Sequence, residues 1–300
     1  MKKKHVLPGL LLAVMATPVL SAEYTLAVEP NYPPDQAQEV YKPLLDYLSR
    51  ETGHTFVLRT AGNYHVYWRD LRTAVKTDFA FEEAHFTGYR ADRLGFTPLV
   101  RTVEPTRYTL VATGSFADQG TAGLIGYRVV SMPAPSLGYL LLGEMYKNPI
   151  AQPDILSRAA NWRDGVEMVY AQETEGAMVP NYIANQYPDL VPVSQSREFI
   201  GRTLSAGGTV PANVREAVTA AMLALNDADN TEILQELDTT QFVAADPTAY
   251  ASAEPLLRGM FGYKPKAEAA APAARPAART TTAPPGEDED IGGIEVRADR

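Results

Sequence analysis

Short apolar runs alternate with segments of helical period from residue 23 onward, and few architectures accept that order. "EYTLAVEP" reads as a strand. "NYPPDQAQEVYKPLLDYLSRETG" then places Val40, Leu44, Leu45 and Leu48 at helical spacing, with Gly53 as the stop. "TFVLRTA" predicts a second strand, residues 67–75 a short helix and "DFAFEEA" a third strand. This order favours a parallel sheet covered by helices, because parallel neighbours need a crossover long enough to bring the chain back. After "GFTPLVRT", the segments "RYTLVATG", "RVVSMPAPSLGYLLLGEMY" and "EGAMVPNYIANQY" continue strand, turn and helix. The pattern then changes: "REFIGRTLSAGG" is strand-like, and "VPANVREAVTAAMLALND" is an amphipathic helix with Pro211 near its first turn. "TEILQELDT" and "YASAEPLLRGMF" read as shorter helices. No repeat of roughly 20 to 50 residues is visible, which excludes solenoids and propellers.

Neither end of the 300-residue chain belongs to this pattern. Residues 1–22 run from Lys2, Lys3 and Lys4 through an apolar stretch to Ser21 and Ala22, the layout of a cleavable secretory signal. The stretch is shorter than the roughly 20 apolar residues of a spanning helix, so secretion into the periplasm is expected rather than anchoring. Residues 264–300 are rich in Ala and Pro, then Thr and Pro, then acid, and carry too little apolar bulk to offset ordering entropy. Disorder is expected there. Loss of the three lysines moves the formal charge from −9 to −12. An acidic body without a basic cluster is a poor nucleic-acid binder, since phosphates must be neutralised. The absence of cysteine excludes disulfides, thiolate metal sites and a lipoprotein anchor.

In an open α/β sheet, ligands bind beyond the carboxyl ends of the strands. The loops there are residues 31–34, 61–64, 82–86, 133–138 and 180–182, bringing Tyr32, Tyr64, His65, Glu82, Glu83, His85, Ser136, Asn181 and Tyr182 into consideration. An aromatic and polar set of this kind suits a small-molecule cleft. The adjacent glutamates admit three readings: a solvated turn, an ion pair with Arg90 or Arg93, or a ligand-facing carboxylate. Strand alternation argues against both pointing into one cleft. Glu83, His85 and His65 could together suit a metal, but the chain has four histidines and no His-x-His pair, so no metal and no cofactor are expected. Tyr64, Tyr67 and Trp68 either belong to the core or, with Phe86, Leu137 and Tyr182, make a more apolar pocket for a lipid-like, sterol-like or ammonium-bearing ligand. Ser136 lies in "APSLGY", outside any Gly-x-Ser-x-Gly elbow, and no phosphate loop is present, so no catalytic residue is assigned.

Several ordered stretches resemble the phosphonate-binding-protein-like (PhnD-like) periplasmic receptors of ABC importers. "YPPDQAQEVYKPLLDYLSRETG" is similar to their opening loop and helix, and "DFAFEEAHFTGYRADRLGFTPLV" to their third strand and the helix after it. "VVSMPAPSLGYLLLGEM" stands in the place of their anion loop, and "GRTLSAGGTVPANVREAVTAAMLAL" resembles the return crossover. The resemblance implies an α/β, two-lobed periplasmic-binding-protein fold of type 2. Each lobe is a mostly parallel sheet flanked by helices, and two crossovers near residues 109–113 and 203–206 join them. Residues 23–110 and 204–263 would form lobe one and residues 111–203 lobe two. Where the family has a Ser-Thr-Ser-Gly loop, this chain has Pro135, Ser136, Leu137 and Gly138; where it has Gly-Pro and then tyrosine, this chain has Glu82, Glu83 and Phe86. A carboxylate about 4 Å from a dianion is repelled by several kcal/mol per charge at an effective dielectric near 20, so simple phosphonate is not the expected ligand. The expected pocket comprises Tyr32, Tyr64, Glu83, His85, Phe86, Ser136, Leu137, Asn181 and Tyr182. The expected function is capture of a small solute by a monomeric receptor for an ABC permease. The alternative is a carrier or sensory module for a bulkier apolar ligand, serving a sensor or other protein instead.

Overall fold

The computed structural model describes residues 21–116 and 118–265; the signal-like segment up to residue 20 and the tail from residue 266 lie outside the described residues. The first elements are β1 (Glu23–Val28), α1 (Pro34–Thr52), β2 (Thr55–Arg59), α2 (Tyr64–Arg72), β3 (Phe79–Glu82), α3 (Ala84–Arg93) and β4 (Thr97–Thr102). There follow β5 (Tyr108–Ala112), β6 (Arg128–Ser131), α4 (Leu137–Met145), β7 (Asp154–Ser157), α5 (Trp162–Tyr170), β8 (Gly176–Pro180), α6 (Asn181–Ala184) and β9 (Val191–Gln195). The chain then adds β10 (Thr203–Ala206), α7 (Ala212–Ala224), α8 (Thr231–Glu236) and β11 (Phe242–Ala244).

Local chemistry sets these boundaries. Pro34 opens α1, where its missing N–H has no helical partner to lose, and Gly53 closes it at φ 71° with its N–H on the Ser49 carbonyl. The inner face of α1 buries Ala37, Tyr41, Leu44, Leu45, Tyr47 and Leu48. The side chains of Asn63 and Asn161 cap α2 and α5, accepting from Val66 N and Asp164 N at 2.9 Å each.

Two mixed sheets result. The first has the order β11-β4-β10-β3-β1-β2 and the second β7-β6-β8-β5-β9. Each keeps a parallel part, β1 with β2 and β3 in one, β6 with β7 and β8 in the other. Antiparallel strands complete them: β10 lies between β3 and β4 with β11 beyond, and β5 lies between β8 and β9. Strands β3, β5, β8 and β10 are buried along their whole length, as expected where both faces are covered.

The chain leaves the first sheet through residues 103–107 and returns through residues 196–202. These passages touch: Thr106 and Phe199 exchange backbone hydrogen bonds of 3.0 and 2.8 Å. Gly201 makes the approach possible, because a Cβ there would sit 2.2 Å from Thr102 Oγ1 and 2.4 Å from the Glu104 carbonyl. The segments expected as crossovers, 109–113 and 203–206, therefore fall almost wholly in β5 and β10. Their side chains are buried within the two sheets, next to the passages that join them.

Apolar packing is distributed in two clusters. One lies under the first sheet and includes Leu26, Tyr41, Leu48, Phe79, Val100, Val218 and Phe242. The other runs without a break from Tyr64, Tyr67, Trp68 and Phe86 on α2 and α3 to Leu137, Leu141, Val166 and Met178 around the second sheet.

Candidate functional site

The adjacent carboxylates at the end of β3 diverge, as the strand period requires. Glu82, 1% exposed, receives Arg90 Nε at 2.8 and 3.0 Å and a hydrogen bond from the Tyr67 hydroxyl. This is a fully buried ion pair, and the solvated-turn reading of Glu82 and Glu83 is overturned by their burial. Glu83, 3% exposed, precedes α3 and points elsewhere: it lines a cavity, and its Oε2 has no hydrogen-bond partner among the described residues. Burial pushes the Glu83 carboxyl up to about 7 against the opposing influence of Arg202 and Thr106.

Glu29, just beyond β1, is 2% exposed and accepts from the backbone N–H of Glu83. The Tyr64 hydroxyl lies 2.7 Å from Glu29 Oε2 and 2.7 Å from Asn31 Oδ1. Asn31 Oδ1 also accepts from Trp162 Nε1 at 3.1 Å, so it is the amide oxygen that faces this point. Tyr64 has one hydrogen to give, and with Asn31 supplying only an acceptor, the Glu29 carboxyl must carry the other proton. The same conclusion follows from electrostatics, since burial and the nearby Glu83 hold Glu29 well above the usual carboxylate range. The resulting chain, Glu29 to Tyr64 to Asn31 to Trp162, joins loops of the first sheet to α5 of the second.

The loop before α4 is closed upon itself. Ser136 is completely buried; its hydroxyl donates to the Met132 carbonyl at 3.0 Å and accepts from Tyr139 N at 3.3 Å. His85 reaches across from α3, Nε2 donating to the Pro135 carbonyl at 3.1 Å, while Nδ1 is unpartnered among the described residues. Burial lowers this imidazole to about 3, so it is neutral, with its hydrogen on Nε2. Phe86 and Leu137 are completely buried in the cluster that spans both sheets, and Tyr64 stacks on Phe86 at 6.3 Å. His65 is exposed on α2, and among the described residues no group of three or more His, Asp or Glu is disposed to hold a metal.

Open space lies to one side of this plug. A cavity of about 270 Å³ is lined by Asn31, Tyr32 and Gln36 from the first sheet's loops and by Asn161, Trp162 and Arg163 at the start of α5. A second, of about 200 Å³, is lined by Glu83, Thr106, Asn181, Asn185 and Arg202. Tyr182 and Asp238 border both. Arg202 is 9% exposed, donates to the Leu237 carbonyl, and lies 5.7 Å from the Tyr182 ring and 5.3 Å from the Phe81 ring. Asp238 is held at φ 46°, a left-handed conformation that aspartate tolerates better than most residues. Burial raises its carboxyl above the usual range.

Of the residues expected from sequence, Tyr32, Glu83, Asn181 and Tyr182 line these cavities; Tyr64, His85, Phe86, Ser136 and Leu137 do not, because they fill the adjoining seam. Sequence reasoning missed Glu29, Asn31, Trp162, Arg163, Arg202 and Asp238. For Trp162 and Arg163 a signal was present: Asn161 and Asp164 before the apolar positions Val166 and Val169 mark a helix start.

A cleft lined from two mixed α/β sheets, bridged by paired passages, defines a two-lobed solute receptor. The chain belongs to the family described as "ABC transporter, phosphonate, periplasmic substrate-binding protein", whose model matches residues 26–250. No curated protein sequence matches it. Among solved structures it is similar to PhnD1 from Prochlorococcus marinus in complex with methylphosphonate, at 11% identity and a TM-score of 0.68, covering 79% of this chain and 97% of that one. A binding protein component of an ABC phosphonate transporter from Pseudomonas aeruginosa aligns at 14% identity and a TM-score of 0.66, over 79% and 85% of the two chains. XAC2383 from Xanthomonas citri, bound to ATP, aligns at 18% identity and 0.61, over 79% and 96%. At such identities the likeness establishes the fold alone. Among the described residues no helix is long and apolar enough to cross a membrane.

Proposed function

We propose that this protein is the periplasmic receptor of an importer that clamps a small polar solute other than simple phosphonate and presents it to a permease. The lobes follow the two sheets, close to the expected bounds of residues 23–110 with 204–263 and residues 111–203, with the joins in the passages 103–107 and 196–202. The observation that carries the reading is that the two cavities meeting at Tyr182 and Asp238 are lined from both sheets. A solute there would gain contacts from both lobes only when they are closed, which is what makes binding favour closure. The polar lining supports a small polar solute over a lipid-like or sterol-like one. Against a phosphonate or phosphate group stand the engaged hydroxyl of Ser136, the missing N–H of Pro135, and the carboxyl groups of Glu29 and Glu83 close by. The chain is read as a binder and not an enzyme, in keeping with its family.

The test is native mass spectrometry of the protein taken from its own periplasm, followed by thermal-shift titration. A retained small solute is expected, and adding it back should raise the Tm by mass action. Methylphosphonate and phosphate at millimolar concentration should leave the Tm within about 1 °C. A strong shift with either would refute the exclusion of phosphonate and phosphate.

A further inference from the structure

Arg202 and Glu83 face the same cavity, and among the described residues neither makes a direct ion pair. Arg202 is nine-tenths buried, yet among the described residues no carboxylate oxygen lies within 4.0 Å of its guanidinium. It donates to the Leu237 carbonyl and lies over the Phe81 and Tyr182 rings, while the carboxyls of Glu83 and Asp238 act on it only from beyond ion-pair distance. Glu83 is buried further still, with Oε2 unpartnered. Of the other charges on this cavity, Glu104 accepts from Thr239 and Thr240, Arg107 pairs with Glu198, and Asp238 lines both cavities and attracts Arg202 without a direct ion pair. A buried cation without a direct ion pair is costly, and a carboxyl with a free acceptor oxygen on the same cavity, too far away to pair with it, is ionised only when a cation arrives beside it; together they call for a guest that bridges them with both signs of charge.

We infer that the solute is an amino-carboxylate zwitterion, its carboxylate on the Arg202 guanidinium and its ammonium on Glu83, with its remaining atoms passing Tyr182 into the larger cavity. A planar guanidinium accepts a carboxylate in two parallel hydrogen bonds, and the unpartnered Glu83 oxygen supplies the acceptor an ammonium needs. Neutral donors and acceptors stand around them: Thr106, Asn181 and Asn185. Beyond Tyr182, the rings of Tyr32 and Trp162 and the amide of Asn161 offer a mixed surface for a side chain. The inference rests on the receptor reading of this cleft.

Isothermal titration calorimetry of the signal-free chain, after unfolding and refolding to strip retained solute, tests it with the twenty common L-amino acids. Each binder is then compared with its decarboxylated amine and its deaminated acid, and with methylphosphonate. At least one amino acid is expected to bind, with both truncated analogues weaker by about 100-fold, the scale of losing one charge-assisted contact each. Arg202→Met and Glu83→Gln should each weaken it by about 10-fold or more, while Arg50→Met, at the exposed end of α1 and lining neither cavity, should change it by less than about 3-fold. The analogue series decides the matter even if Arg202→Met does not fold. Binding of an amine or an acid as tight as the amino acid, no effect of Glu83→Gln, or no binding by any amino acid overturns the inference. If native mass spectrometry then finds a retained solute that is not a zwitterion, the receptor reading survives alone; if nothing is retained and nothing binds, both fall.

Discussion

Replacing Glu83 by glutamine removes a titrating proton from the deepest polar point of the cleft and keeps the shape. The folded-state carboxyl titrates at about 7 against an ordinary value of 4.5, so the folded protein holds a proton there that the unfolded chain has released. Its contribution to stability is fully present below pH 4.5 and is lost as pH rises through about 7. At about 1.4 kcal/mol per pH unit, the gap is worth about 3 kcal/mol. His85 acts in the opposite sense: ordinarily near 6.5 and here about 3, it removes about 5 kcal/mol as pH falls from 6.5 towards 3. The two slopes oppose one another between pH 4.5 and 6.5, so wild-type stability alone would show little there. The difference between Glu83→Gln and wild type cancels the histidine. Urea denaturation followed by fluorescence from pH 4 to 8.5 should give a difference near zero at pH 4.5, rising to about 3 kcal/mol in favour of the variant by pH 8. An unchanged m-value would confirm that stability and not compactness has moved. A flat difference curve, or one that falls with pH, would refute the account of Glu83 as a buried carboxyl held protonated by desolvation.

Three further outcomes are expected. Arg90→Met leaves Glu82 buried and unpaired and should cost about 3 to 5 kcal/mol in urea, whereas Arg90→Met combined with Glu82→Met should recover most of it; equal loss in both would deny the pair its role. Ser136→Ala should cost about 1 kcal/mol through the cap of α4 and leave the affinity for the retained solute unchanged; lost affinity would put the hydroxyl in the binding site. The chain has two tryptophans, and only Trp162 borders the large cavity, so solute-induced fluorescence change should persist in Trp68→Phe and vanish in Trp162→Phe; the reverse would place the solute in the seam near Phe86.

The order of strands and helices in the first sheet was legible because each element carries its own punctuation: Gly53 after α1, apolar runs in β1 and β3, and Pro211 before α7. Strand β7 was not, since "DILS" is a short, partly exposed strand at the sheet edge with no apolar run, and α5 was lost with it. The cleft was half legible. Tyr32, Asn181 and Tyr182 follow strand ends, where open sheets place ligand loops. Arg202 and Asp238 lie in a return passage and a helix end, whose approach to the cleft is fixed only by the packing of both sheets. Glu29 reads as any acid after a strand; its burial and its proton depend on Tyr64 and Glu83, which lie 35 and 54 residues away along the chain. Glu82 and Glu83 show the limit most directly. Alternation separates them, but nothing local says which meets Arg90 and which meets empty space.

The apolar seam joining α2 and α3 to the second sheet has a mechanical corollary. Swinging the halves apart along that edge would wet Phe86, Leu137 and their neighbours, at roughly 25 cal/mol for each Å² of hydrocarbon uncovered, whereas the margin by Tyr182 and Asp238 borders open cavities with polar lining. Traffic of small molecules should accordingly pass by a gape at one corner, like a purse with a stitched side, and not by the symmetrical yawn of a two-jawed trap.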